Sequence, residues 1–90
     1  MNLEGRFMHS VPLQSTLLAS VSYHPLRQLL DLEFCTGELY RYFNVPAACY
    51  HGLLEADSKG TYFNYNIRNH FPHQHLSRQP SLVVLSTKTK

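Results

Sequence analysis

The stretch RQLLDLEFCTGELYRYFN, residues 27–44, carries the pattern on which the fold turns. Leu30, Leu32 and Phe34 alternate with Asp31 and Glu33, the period-two mark of a strand with one apolar face turned inward. ELYRYFN reads as a second strand, and Cys35-Thr36-Gly37 lies between the two. The length of that loop decides where the tyrosines point. A two-residue Thr36-Gly37 turn would set Tyr40 and Tyr42 beside Asp31 and Glu33, as an exposed ladder with Arg41 on the opposite face. A three-residue loop with Gly37 in the left-handed conformation pairs Leu32 with Tyr40 and Leu30 with Tyr42. Threonine is a poor first residue for the tight turn, where Asn or Asp is preferred, so the longer loop is expected. Both tyrosines then sit on the apolar face, as core rings with their hydroxyls at the rim.

Working outward, STLLASVSY (residues 15–23) also alternates, placing Leu17, Ala19, Val21 and Tyr23 on one face and Ser20 and Ser22 on the other. His24-Pro25 ends this strand, because proline offers no ladder donor. Downstream, VPAACYHGLLEA (residues 45–56) reads as a helix with Pro46 at its first position. Cys49, Leu53 and Ala56 form a stripe able to cover the sheet, although Gly52 weakens the helix. Ser58 then suits the N-cap of a second helix running to about His70, with Phe63 and Ile67 as its buried pair and Pro72 as its stop. The expected fold class is α+β: a three-stranded antiparallel β-meander followed by two α-helices packed on one face. Residues 1–14, with Gly5 and Pro12, read as a flexible leader, 15–72 as the domain and 73–90 as a basic tail. SLVVL, near 82–86, is a candidate edge strand.

The totals agree with one small domain. Ninety residues with 43% apolar and 12% aromatic content suffice for a single core and exclude disorder throughout. The net charge of +2 hides an asymmetry. Residues 1–57 hold three arginines against six acids, whereas 58–90 hold Lys59, Arg68, Arg78, Lys88 and Lys90 with no acid. Such a split points to an anionic partner for the C-terminal third, or to a solvated basic tail. Cys35 and Cys49 form no CxxC, and Met1 to Val11 lacks the pattern of a secretion signal, so reduced thiols in a cytoplasm are expected. No apolar run approaches the ~20 residues of a membrane span, and no membrane partner is expected.

Several of these motifs, in this order, resemble the KTSC family: VSY, LDLEF, TGELYRYF, VP, LLEADSKGTYFNYNIR and a closing FP, over about residues 15–72. The resemblance equates Tyr40 and Tyr42 with the family's central Y-x-Y, while Phe71 stands where a tyrosine is common. It implies a short domain found at the C-terminal end of some lysyl-tRNA synthetases and alone in small bacterial proteins. RNA binding is supposed for the family and no reaction is assigned.

SKGTYFNYNIR, residues 58–68, is the candidate site. A helix start presents unpaired N–H groups and partial positive charge, so Ser58, Lys59 and Gly60 form a corner where a phosphate could bind. Asn64 and Arg68 follow at i, i+4. Phe63 and Ile67 take the core face, which pushes Tyr62 and Tyr65 toward solvent as stacking platforms, with Tyr40 and Tyr42 as further stacking candidates. The plain alternative is that Ser58 merely caps, Gly60 packs against the sheet and Arg68 pairs with a carboxylate such as Asp57. The stretch is no P-loop. His70, His73 and His75 do not match a structural zinc spacing, and neither metal nor cofactor is expected. Cys49 and His51 fall on opposite helix faces, so no nucleophile–base pair is expected and the chain reads as non-catalytic. The function expected is a small binding module for RNA, tRNA in particular, through the basic start of the last helix. The alternative is a protein-interaction or self-association module acting through a sheet edge or the helix pair.

Overall fold

The computed structural model describes residues 10–76, and within it the 27–44 stretch is a hairpin of the longer kind. Strand β3 (Leu29–Phe34) and strand β4 (Leu39–Tyr42) pair antiparallel with Leu32 opposite Tyr40 and Leu30 opposite Tyr42. Gly37 takes φ 97°, the left-handed value that a side chain would strain. The Gly37 N–H donates to the Phe34 carbonyl and the Phe34 N–H to the Glu38 carbonyl, both at 2.8 Å, closing a three-residue loop.

Strand β2 (Leu18–His24) pairs with β3, and α1 (Ala47–Glu55) and α2 (Lys59–Asn66) follow β4. The sheet is larger than the expected three-stranded meander. Its order is β1-β2-β3-β4-β5, antiparallel throughout, with β1 at Ser10–Pro12 and β5 at His73–His75. Part of the expected leader is therefore a strand, which lays Val11 against the core. At the other end, the chain after Pro72 returns beside β4: the Phe43 N–H donates to the Pro72 carbonyl at 2.9 Å and the Leu76 N–H to the Leu39 carbonyl at 2.7 Å. His-Gln-His shows no apolar alternation, so backbone pairing makes this strand and its side chains do not announce it. The candidate strand near 82–86 lies outside the described residues.

Two boundaries also differ. In β2 the register slips between Leu18 and Ser20, one residue bulging out of the ladder, so Leu18 replaces Leu17 and Ala19 on the buried face beside Val21 and Tyr23. Helix α2 stops at Asn66 instead of His70. The Ile67 and Arg68 N–H groups both donate to the Phe63 carbonyl, and Asn69 adopts φ 65°, a left-handed residue that ends the helical path.

Both helices cover one face of the sheet. Leu53 of α1 and Phe63 and Ile67 at α2 are buried with Leu18, Val21, Leu30, Leu32 and Tyr42. Tyr50 of α1 stacks on Tyr23 of β2 at 4.8 Å between ring centroids, and the Tyr23 hydroxyl donates to the Val45 carbonyl at 2.5 Å. The Val45 N–H donates to the Gln28 carbonyl, so the chain entering α1 is tied to the β2–β3 turn. On the opposite sheet face Arg41 holds Asp31 through two hydrogen bonds of 2.8 and 2.9 Å, and Ser20 donates to Glu33. No helix among the described residues is long and apolar enough to cross a membrane.

Candidate functional site: an aromatic cleft beside the last helix

The hairpin and α2 converge on a cleft of about 560 Å³. The hairpin supplies Phe34, Cys35, Thr36, Glu38, Tyr40 and Tyr42; α2 and the turn after it supply Phe63, Asn64, Arg68 and Asn69. Thr16 and Leu17, ahead of β2, and His73 of β5 complete the lining. Alternation along β4 sends Tyr40 and Tyr42 to the helix side of the sheet, where the hairpin register demands them. Tyr42 and Phe63 are nearly inaccessible and form the floor, whereas Phe34 and Tyr40 are half-buried and line its sides.

The rings meet edge to face. Phe34 lies 5.6 Å from Tyr40 and 5.4 Å from Phe63, and Tyr42 lies 5.9 Å from Phe63, all with interplanar angles near perpendicular. Such contacts hold ring positions as well as burying area. β5 adds a second layer: His75 packs on Tyr40 at 4.7 Å and His73 on Tyr42 at 5.4 Å. His75 Nε2 also meets Glu38 Oε1 within hydrogen-bond distance, tying the edge strand to the hairpin. Arg68 Nη1 donates to Asn64 Oδ1 at 3.1 Å, one helical turn back. Burial pushes the Tyr42 phenol above its ordinary pKa, Tyr40 adds to this, and the positive charge of Arg68 opposes it. The Tyr42 hydroxyl therefore remains a donor at neutral pH, and the Arg68 charge is felt inside the cleft.

Of the sequence-predicted residues, Tyr40, Tyr42, Asn64 and Arg68 come together here. The start of α2 is not part of the cleft lining, and its Ser58 and Lys59 side chains bond within the protein. Ser58 Oγ accepts the Thr61 N–H at 3.2 Å and donates to the Thr61 hydroxyl. Lys59 Nζ donates to the Ala56 carbonyl at 2.6 Å, placing its cation on the C-terminal end of α1 where the helix dipole is negative. Gly60 packs beside Leu17. Tyr62 corrects the expectation of a solvent-facing ring: it is half-buried between the helices, against Gly52, and its hydroxyl donates to the Cys49 carbonyl at 3.2 Å. Phe63 and Ile67 do take the sheet face, but α1 covers the adjacent face that Tyr62 occupies. Tyr65 is exposed, as expected, and lies outside the cleft lining. Arg68 partners Asn64 and not Asp57.

Phe34, Thr36, Glu38 and His73 are lining residues that sequence reading did not select. Glu38 and Thr36 belong to the loop whose geometry was read correctly, so their place at the cleft mouth follows once α2 is laid over the hairpin. Burial raises the Cys49 thiol above its usual pKa, which Tyr62 only partly offsets, and this keeps it in the protonated, unreactive form. Among the described residues no three His, Cys, Asp or Glu side chains gather as metal ligands.

Comparison with known proteins places this architecture. The model of the KTSC domain matches residues 14–71. A protein of Stutzerimonas stutzeri (strain A1501), named only as uncharacterized, is 51% identical over 57 residues, 63% of this chain and 80% of its own length. A lysine–tRNA ligase of Nostoc sp. (strain PCC 7120) is 38% identical over 64 residues, 71% of this chain but 11% of the ligase, so the likeness is to one small part of that enzyme. The crystal structure of a KTSC domain protein from Yersinia pestis superposes with a TM-score of 0.76 at 27% identity, covering 79% of this chain and all of that one. With the family model matched over residues 14–71 and the fold shared with a solved member, the chain belongs to the KTSC domain family.

Proposed function

We propose that the chain is a small non-catalytic binding module for single-stranded RNA, tRNA foremost, acting in the cytoplasm. The observation that carries the reading is the aromatic cleft with Arg68 and Asn64 in one wall. An unstacked base gains ~1–3 kcal/mol on an aromatic platform, whatever its identity, and cations beside the platform neutralise the strand. Support also comes from the charge asymmetry, since the acid-free residues 58–90 hold five of the eight lysines and arginines. The relatives named lysine–tRNA ligases contain a segment of this kind within proteins that handle tRNA. The site is moved from the capped start of α2 to its C-terminal half.

Titration of labelled tRNA at two salt concentrations tests the proposal. Binding in the micromolar range that weakens as salt rises is expected, because each phosphate contact releases counterions. Absence of binding at low salt removes the RNA reading. A second reading, docking of a protein along the sheet edge, is favoured by the position of β5, whose outer edge has no neighbouring strand among the described residues. Light scattering across concentration tests its self-association form.

A further inference from the structure

Resting on the RNA reading, we propose that the cleft receives a terminal phosphate, the phosphomonoester end of an RNA strand, on the hydroxyl of Tyr42. Two other tyrosine hydroxyls are spent on the backbone, that of Tyr23 on the Val45 carbonyl and that of Tyr62 on the Cys49 carbonyl. Tyr42 is only 4% exposed, yet its hydroxyl has no hydrogen-bond partner among the described residues. No fully buried side-chain nitrogen or oxygen among those residues is left unpaired, so this oxygen is not sealed in the core. It is the part of Tyr42 that opens into the cleft. A polar group held in so narrow an opening is matched by water or by a ligand atom.

The neighbours set the sign of that ligand. Burial, and then Tyr40, raise the pKa of the Tyr42 phenol while the charge of Arg68 opposes them, so the hydroxyl stays a donor within the field of a cation. Arg68 gives an Nη1 hydrogen to Asn64 and keeps the others, and Asn64, its oxygen engaged, presents its NH₂ group. Donors at the floor and along one wall suit an oxyanion. Glu38, the one carboxylate among the described lining residues, belongs to the hairpin wall and is bonded to His75. An internal phosphodiester carries a single charge and continues on both sides as ribose. A terminal phosphate enters end-on, which suits a cleft of about 560 Å³, a size that encloses one small molecule. It brings three terminal oxygens and a charge of about −1.5 to −2 near pH 7, acceptors for Tyr42, Arg68 and Asn64 together.

Internally labelled uridine hexamers with a 5′-phosphate, a 3′-phosphate or hydroxyls at both ends, titrated against the full chain by fluorescence anisotropy, test this. At least one phosphorylated form is expected to bind about tenfold more tightly than the hydroxyl-ended one, the contribution of one hydrogen bond to a charged group. Inorganic phosphate should displace that form where chloride of equal ionic strength does not. Tyr42→Phe should abolish the advantage, leave the hydroxyl-ended hexamer bound as before and leave the melting curve in place, because no bond within the protein is lost. Tyr23→Phe, outside the cleft, should lower the melting temperature and keep the advantage. Equal binding of the three hexamers, or an advantage that survives Tyr42→Phe, overturns the proposal and leaves the RNA reading standing. Calorimetric binding of inorganic phosphate with no hexamer bound removes the RNA reading and keeps a phosphate site. Binding of neither removes both.

Discussion

The two ends of α2 are built from the same kinds of residue and have opposite fates. At its start a serine, a lysine, a glycine and a tyrosine are all turned onto the protein: a capped N–H, a cation on the last carbonyl of α1, a close approach to Leu17, a phenol bridging to Cys49. At its end an asparagine and an arginine are exposed, their side chains bonded to each other, and border a cleft. Charge and hydrogen-bonding type do not distinguish the two. What differs is the neighbour: α1 covers the first turn, whereas Asn64 and Arg68 stay exposed beside the cleft. Availability to a ligand is a property of the packing around a group as much as of the group.

Phe63→Ala would break this comparison, because Phe63 is both core residue and cleft floor. A cost of about 3–5 kcal/mol in unfolding free energy is expected, together with loss of ligand binding, measured by denaturant titration. Gly52→Ala acts on the closed end alone. A Cβ there would stand 2.2 Å from the Tyr62 hydroxyl oxygen, so the ring must move and release Cys49. Destabilisation of about 1–3 kcal/mol is expected. Tyr62→Phe alone should cost about 1 kcal/mol, and the two together less than their sum, since both act on one contact. Full additivity would mean that the helices are not locked at this point. The smallest effects on stability sharpen the contrast most. Lys59→Ala should cost no more than about 1 kcal/mol and Arg68→Ala about 0.5 kcal/mol. Only Arg68→Ala should weaken RNA binding several-fold; an equal loss from Lys59→Ala would return the site to the start of the helix.

The hairpin was legible because its information is local. Alternation, an unsuitable threonine and a glycine able to take φ 97° were enough to assign the loop and hence the facing of Tyr40 and Tyr42. The buried pair Phe63 and Ile67 was legible for the same reason, through spacing on one helix. The candidate site was legible only in part. Asn64, Arg68, Tyr40 and Tyr42 were chosen for their chemistry and do meet, but Glu38 and His73 were missed, since nothing in HQH or TGE marks a wall. Tyr62 was misplaced because a helix wheel with one covered face leaves no room for a second helix on the adjacent one.

The sequence by itself determined the local dihedral choices and the inward faces: where the chain turns, which strand residues share a side, which serine caps. Tertiary structure alone decided that Ser10–Pro12 and His73–His75 join the sheet, that one bulged residue puts Leu18 inside, and that the end of α2 rather than its start borders open space. The physical reason is range. Backbone conformation and side-chain period are set by steric contacts within a few residues, whereas edge pairing, bulge placement and the covering of a helix end depend on surfaces brought together from distant parts of the chain.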